Sequence, residues 1–262
     1  MAGDVLIHND KTSTPTEETS SMNPQEKSSA AFEDLSSTIP SVDLTDRKAT
    51  ALVVVDVQYS DAAPDRGWVK ACEAVEPGSM RYYLERLEQT TIPSIRRLLD
   101  AFRAAGMPVV HISTGSAYRD MRDCPPRFRD WTRRLEQAAG IDDLWWTGNP
   151  DYAFLEEVAP LEGETVIRKT TQGAFNGSEI QNVLDRAGLR NLVFAGVVTS
   201  CCVETTARDA ADRGFGCMLV SDACADCIPA MHDAAMMNFG LYFGQVAQSA
   251  DEVVRAISAG GR

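Results

Sequence analysis

The sequence predicts a three-layer α/β/α sandwich on a mostly parallel, doubly wound six-stranded sheet, and three observations predict it. From residue 46 onward, short β-branched runs alternate with stretches of helical period, the order of βαβ units. The runs lack polar alternation, as in Ala51-Leu-Val-Val-Val55, so both faces of each strand are covered. Gly106, Gly188 and Gly214 each follow a helical stretch, where a left-handed C-cap is expected.

The first 45 residues hold fourteen Ser or Thr and eight acidic residues against two lysines, with no Cys or Trp. Such a composition buries too little apolar surface to offset the entropy of ordering. Residues 1–45 are therefore expected to be a flexible acidic tail, with Ala31-Phe32 and Leu35 its one sticky turn, and 46–262 the folded domain. Strands are predicted at Ala51–Asp56, Pro108–Ser113, Glu164–Arg168, Asn191–Val197, Phe215–Ser221 and Gln245–Gln248. Helices are predicted near Ile92–Ala105, Gly177–Ala187, Val203–Arg213, Pro229–Phe239 and Asp251–Ser258. Residues 57–90 and 114–162 interrupt the alternation after the carboxyl ends of strands, the edge where open α/β sheets bind ligands.

Acidic residues outnumber basic ones 38 to 25, a formal charge of -13, which repels phosphate backbones and anionic lipid heads. Nucleic-acid and membrane partners are excluded on that ground. No apolar run approaches the ~20 residues of a membrane span and no signal-peptide stretch opens the chain, so a cytoplasmic location is expected. Seven cysteines, an odd number, do not read as a disulfide framework. The three histidines, His8, His111 and His232, are too dispersed for a His-rich metal site.

The strand-end rule singles out three polar residues. Asp56 ends the run Leu52-Val-Val-Val55, Lys169 ends Thr165-Val-Ile-Arg168, and Cys202 opens the helix after Gly196-Val-Val-Thr-Ser-Cys-Cys202. A thiol at a helix N-terminus beside a lysine is expected to have thiolate character. Carboxylate, ammonium and thiol at one sheet edge form a nucleophilic set: a base, a group to orient it, and a nucleophile for a carbonyl carbon. Taken singly, each has a bland reading as a helix cap, a surface lysine or a packed thiol.

These residues resemble the isochorismatase-like cysteine hydrolases, in particular the branch that includes N-carbamoylsarcosine, ureidoacrylate and biuret hydrolases. The resemblance spans about residues 46–258 and rests on Val55-Asp56-Val-Gln58, on Lys169 with Gly173-Ala-Phe175, and on Gly196-Val-Val-Thr199-Ser-Cys-Cys202-Val-Glu-Thr-Thr206-Ala-Arg-Asp-Ala210. It implies Cys202 as nucleophile, Asp56 as base and Lys169 as the third member. It also implies a cis peptide at Val197–Val198 and an oxyanion hole of the Val198 and Cys202 amides. The motif's spacing assigns the nucleophile to Cys202 and not to Cys201. Nothing near His111 matches the Asp and paired His that hold a metal in nicotinamidases, so no metal and no cofactor are expected. The nucleophilic cysteine favours C–N over C–O hydrolysis.

Where the family continues with an Asp-Phe pair, this chain has Tyr59-Ser60-Asp61, so Tyr59 or Trp68 is expected to replace the Phe wall. Together with Phe175 and an aromatic from 131–154 they should bound a compact pocket, with Arg119 meeting a substrate carboxylate. The expected partner is a small amide or ureide, and the resemblance implies a homo-oligomer, dimer or tetramer. Two other readings compete: a thiol-redox protein using Cys201 and Cys202, and a non-catalytic binding module on the same fold. Cys224-x-x-Cys227, a lone pair without neighbouring His, is given no role.

Overall fold

The computed structural model describes residues 38–40 and 42–259; the proposed tail falls outside them up to residue 37. The ordered body begins before residue 46, because Val42 and Leu44 are buried in the core. The Val42 amide donates to Gln245 Oε1 at 2.8 Å and Thr50 Oγ1 donates to the Asp43 carbonyl. Two apolar side chains on an otherwise polar stretch anchor it, which composition averaged over 45 residues concealed.

All six predicted strands form: β1 (Thr50–Val55), β2 (Val109–Thr114), β3 (Thr165–Lys169), β4 (Asn191–Val197), β5 (Gly216–Ala225) and β6 (Gln245–Ala247). Every pairing is parallel, in the order β3-β2-β1-β4-β5-β6. The chain winds outward from β1 to β3, then returns to the other side of β1. The switch point therefore lies between β1 and β4, where such sheets open a crevice at the carboxyl edge.

Strand β1 is apolar throughout because each face meets a helix layer. Leu52 and Val54 pack with Ile95, Leu98 and Phe102 of one helix and Val253 and Ile257 of another. Ala51, Val53 and Val55 pack with Ile180, Leu184, Ala207 and Phe239 on the opposite side. The helices, in chain order, are α1 (Tyr59–Ala62), α2 (Gly67–Val75), α3 (Arg81–Arg86), α4 (Ile92–Ala104), α5 (Pro126–Ala139), α6 (Ile180–Arg186), α7 (Glu204–Asp212), α8 (Pro229–Tyr242) and α9 (Ala250–Ala259). The long interruptions supply α1 to α3 and α5; α2 and α5 join through a separate cluster containing Ala71, Phe128, Leu144 and Trp145.

Three departures from the expected elements have local causes. Helix α6 starts at Ile180 rather than Gly177, because Ser178 Oγ accepts the Ile180 amide and donates to the Ala174 carbonyl, a local bond that competes with the first helical turn. Helix α7 is preceded by a π-helical turn, Thr199–Val203, which holds Cys202. Strand β5 runs four residues past Ser221. Between the pairs Phe194↔Leu219 and Gly196↔Cys224 it advances five residues against two on β4. This bulge returns the chain to the end of β4 and delivers Asp226 to the carboxyl edge. Gly196 permits the close β1–β4 approach there: a Cβ on it would lie 2.1 Å from the Val55 carbonyl oxygen.

At the start of β3, Glu164 accepts Arg103 at 2.7 and 3.0 Å, the Leu161 amide at 2.9 Å and His111 Nε2 at 3.0 Å. Burial opposes its charge, but these donors outweigh burial and hold the carboxyl at about 2. A depressed pKa stabilises the fold above the ordinary value of 4.5 and loses that contribution as pH falls toward 2. Glu164→Gln should therefore cost about 1–2 kcal/mol at pH 7, allowing for solvent screening, and much less near pH 2. Urea midpoints at the two pH values check this; an equal loss at both would contradict it.

Candidate active site

Asp56 follows β1 in the left-handed region, φ 54°, and is 2% exposed. A non-glycine residue there is strained by about 1–3 kcal/mol and persists only where its surroundings over-determine it. Lys169, at the end of β3, is fully buried and reaches across β2, where its pairing partner Thr114 accepts a hydrogen bond from the ammonium. The Nζ atom lies 2.7 Å from Asp56 Oδ2, donates to the Thr171 carbonyl at 3.0 Å, and is within hydrogen-bond reach of the Cys202 thiol. Asp56 Oδ1 has no hydrogen-bond partner among the described residues. The sheet thus brings together the three residues singled out at strand ends.

Burial opposes the Lys169 charge, but Asp56 and Cys202 more than compensate, so the ammonium is held above its ordinary pKa. The Cys202 thiol is pushed well up by its hydrogen bond with Cys201, by burial and by the Asp56 carboxylate, with Lys169 pulling the other way. The same shared bond lowers Cys201. The neighbouring sulfur, burial and the nearby carboxylate thus oppose the thiolate character expected at Cys202, and the ammonium favours it.

Both thiols line a cavity of about 240 Å³. Lys169 and Thr114 reach it from the sheet, and Val198 from the loop after β4. The Val197–Val198 peptide is cis, as the resemblance implies. Trp68, Phe128, Trp131, Trp145 and Met231 supply apolar walls. Of the substrate-binding residues expected from the sequence, only Trp68 lies there, joined by Trp131 and Trp145 from the 131–154 stretch. Arg119 does not: its Nε pairs with Asp143 at 3.0 Å, its guanidinium covers the Trp146 ring at 4.4 Å, and its side chain is 67% exposed. Phe175 packs on Phe215 under the Arg213 guanidinium. Tyr59 faces a separate, larger groove of about 910 Å³ with Leu84, Glu88 and Arg96, which contains neither thiol. Loop direction after a strand, which sequence spacing does not encode, decided these three.

Two carboxyl groups in the cavity were missed. Asp61 is buried, bonded to Ser60 Oγ and to Trp145 Nε1 at 2.9 Å. Burial and the charge of Asp56 raise it to about 7 against the bonds from Ser60 and Trp145. Its signal was the Ser60-Asp61 pair, which puts a carboxylate where the family pattern has Phe. Asp226 is fully buried and accepts the Ser200 amide at 2.7 Å and the Cys227 amide at 2.8 Å; only the β5 bulge places it here.

His232 braces the loop from behind. Arg86 Nη2, a donor only, sits 2.9 Å from Nε2, so the other nitrogen, Nδ1, carries the proton and donates to Thr199 Oγ1 at 3.0 Å. Burial and Arg86 push the imidazole down to about 4. It links Arg86 to Thr199 at the start of the turn that holds Cys202. Burial raises Cys224 and Cys227 to about 12.

The Isochorismatase domain profile matches residues 50–251. Ureidoacrylate amidohydrolase RutB of Stutzerimonas stutzeri is 31% identical over 219 residues, covering 80% of this chain and 83% of that protein. The cysteine hydrolase of Pseudomonas syringae pv. phaseolicola 1448A shares the fold with a TM-score of 0.69 at 24% identity, over 85% of this chain and 99% of that one. The N-carbamoylsarcosine amidase of Thermoplasma acidophilum has a TM-score of 0.56 at 25% identity, over 77% and 96% of the two chains. With a doubly wound parallel sheet, a strand-end Asp and Lys in contact, and a profile match over most of its length, the chain belongs to the isochorismatase family.

Proposed function

We propose that this protein hydrolyses the C–N bond of a small non-peptide amide, carbamoyl or ureide compound through a thioester on Cys202. The observation that carries the reading is the Lys169 ammonium, 2.7 Å from Asp56 and within reach of the Cys202 thiol, with both Lys169 and Cys202 lining one cavity. The relatives named ureidoacrylate amidohydrolase and N-carbamoylsarcosine amidase support the same reaction class.

In this reading Asp56, through its unpartnered Oδ1, takes the Cys202 proton as sulfur attacks the carbonyl carbon. The influences that raise the thiol call for a base to take its proton as sulfur attacks. Lys169 stays charged and faces the sulfur as negative charge develops on it, an electrostatic contribution larger in a buried site than in water. The tetrahedral oxyanion rests on the Val198 and Cys202 amides. The Asp56 carboxylic acid then protonates the departing nitrogen as the C–N bond breaks. Water, giving its proton to the same carboxylate, attacks the thioester, and the acid product leaves with the thiol restored. No cofactor enters these steps.

The test is a screen of small primary amides and ureides for ammonia release, with intact-mass measurement of the quenched enzyme. A substrate should add its acyl mass to Cys202; ammonia release with an added mass on another residue would reject the mechanism. We read the enzyme as cytoplasmic, and as a homo-oligomer on the strength of the resemblance; a monomeric mass by light scattering at micromolar concentration would reject the latter. No described helix is long and apolar enough to cross a membrane.

A further inference from the structure

The cavity's charges are the reverse of those a substrate carboxylate needs. Lys169 is the cation lining it, and that ammonium is fully buried and committed to Asp56, Thr114 and Thr171. With the Cys202 thiol also in reach, these partners already use all three N–H bonds an ammonium has. Arg119 is spent on Asp143 and Trp146 outside the cavity, and Arg86 on His232 and the Ser221 and Cys224 carbonyls. The ionisable carboxyl groups of the lining are those of Asp61 and Asp226.

Around Asp61 the walls are aromatic side chains that pack on one another. Trp131 stacks on Trp145 with centroids 5.5 Å apart at 27°, and Phe128 stacks on Trp131 at 6.1 Å and 24°. Trp145 carries Asp61 on its indole N–H. Aromatic faces with a carboxylate at their edge attract cations, because the ring quadrupole is negative above the plane and the carboxylate adds a full charge. Each carboxylate accepts from two donors, Asp226 from the Ser200 and Cys227 amides and Asp61 from Ser60 Oγ and Trp145 Nε1; Asp61 is the one tied to the edge of the aromatic cluster, and so the one beside which a cation on those rings would sit.

We propose that the cavity selects amides or ureides whose non-reacting end is an organic cation, an ammonium or guanidinium held by Trp131, Trp145 and Asp61. This rests on the hydrolase reading and names its substrate class. Asp61 faces Asp56 at the end of β1, Lys169 from β3 and the Trp145 N–H, and its main-chain carbonyl accepts the Tyr83 hydroxyl from α3. Since its carboxyl titrates at about 7, it is largely neutral at pH 6 and largely ionised at pH 8, so preference for a cation should grow over that interval.

Three probes of matched shape test the proposal: betaine amide, its neutral isostere 3,3-dimethylbutanamide, and malonamate, which bears a carboxylate. Dissociation constants are measured by tryptophan fluorescence on Cys202→Ala protein, so that binding is read without turnover, and kcat/KM on the wild type. Betaine amide should bind at least tenfold tighter than the isostere at pH 8, with a smaller ratio at pH 6. Asp61→Asn should collapse that ratio. Trp131→Ala, at a residue 46% exposed and so safe for folding, should reduce it severalfold. Binding of malonamate equal to or tighter than betaine amide, a ratio unchanged by either variant or by pH, or no binding of betaine amide would each overturn the proposal. Cation-selective binding without hydrolysis of any amide would uphold it while rejecting the hydrolase reading. Hydrolysis led by malonamate would do the reverse.

Discussion

Cys202→Ser should lower amide hydrolysis by roughly four orders of magnitude or more, the scale seen when a covalent nucleophile is removed, while Cys201→Ala keeps activity within about tenfold. The two thiols are adjacent, half-buried and share a hydrogen bond, so burial does not separate them. Position does. Lys169 reaches Cys202, and Thr206 Oγ1 donates to the Cys202 carbonyl at 2.6 Å, tying that residue to the first turn of α7. Because the bond to Cys201 is the largest influence raising Cys202, its removal should lower the Cys202 pKa. Iodoacetamide should then label Cys202 faster at pH 7 in Cys201→Ala than in wild type. A redox protein would lose function with either change. Equal loss of hydrolysis in both variants would remove the hydrolase mechanism, and unchanged labelling would reject the coupling of the two sulfurs.

Breaking the Asp56–Lys169 pair should abolish activity and also destabilise the fold. Both groups are buried, 2% and 0% exposed, and removing one partner leaves the other charge uncompensated, a loss of about 3–5 kcal/mol. For a domain of this size each kcal/mol moves Tm by roughly 2–4 °C, so Asp56→Asn or Lys169→Met should melt on the order of 10 °C lower. The double variant removes both charges and should recover much of that loss while remaining inactive. A double variant melting below the worse single would show that the pair is a structural necessity in itself. Singles that melt like wild type would show that the charges are not held together in solution.

The architecture was legible because its cause is local and repeated. The run Leu52–Val55 can be covered only by helices on both faces, and β2, β4 and β5 each follow a helix and a positive-φ glycine, so β1 to β6 lie within a residue or two of where the sequence puts them, β5's far end excepted. Asp56, Lys169 and Cys202 were legible for the same reason, since residues at the end of a strand, or in the turn that leads from it into the next helix, must emerge at the carboxyl edge. Trp68 was found as a wall residue. Tyr59, Arg119 and Phe175 were not separable from it by sequence: Tyr59 and Arg119 stand in the long connections, whose paths are set by packing of α2 on α5 and by the Arg119–Asp143 pair, and Phe175 follows β3 and turns to Phe215.

By itself the sequence determined the layer order, the strand-end triad and the motif that identifies the family, because these depend on spacing along one chain. Only the tertiary structure decided the character of the pocket. Asp226 arrives through a bulge that advances β5 by five residues against two, and Asp61 meets Trp145 across 84 positions of sequence. Burial beside Asp56 raises the Asp61 carboxyl, and burial is a property of what surrounds a residue, which spacing along the chain does not contain.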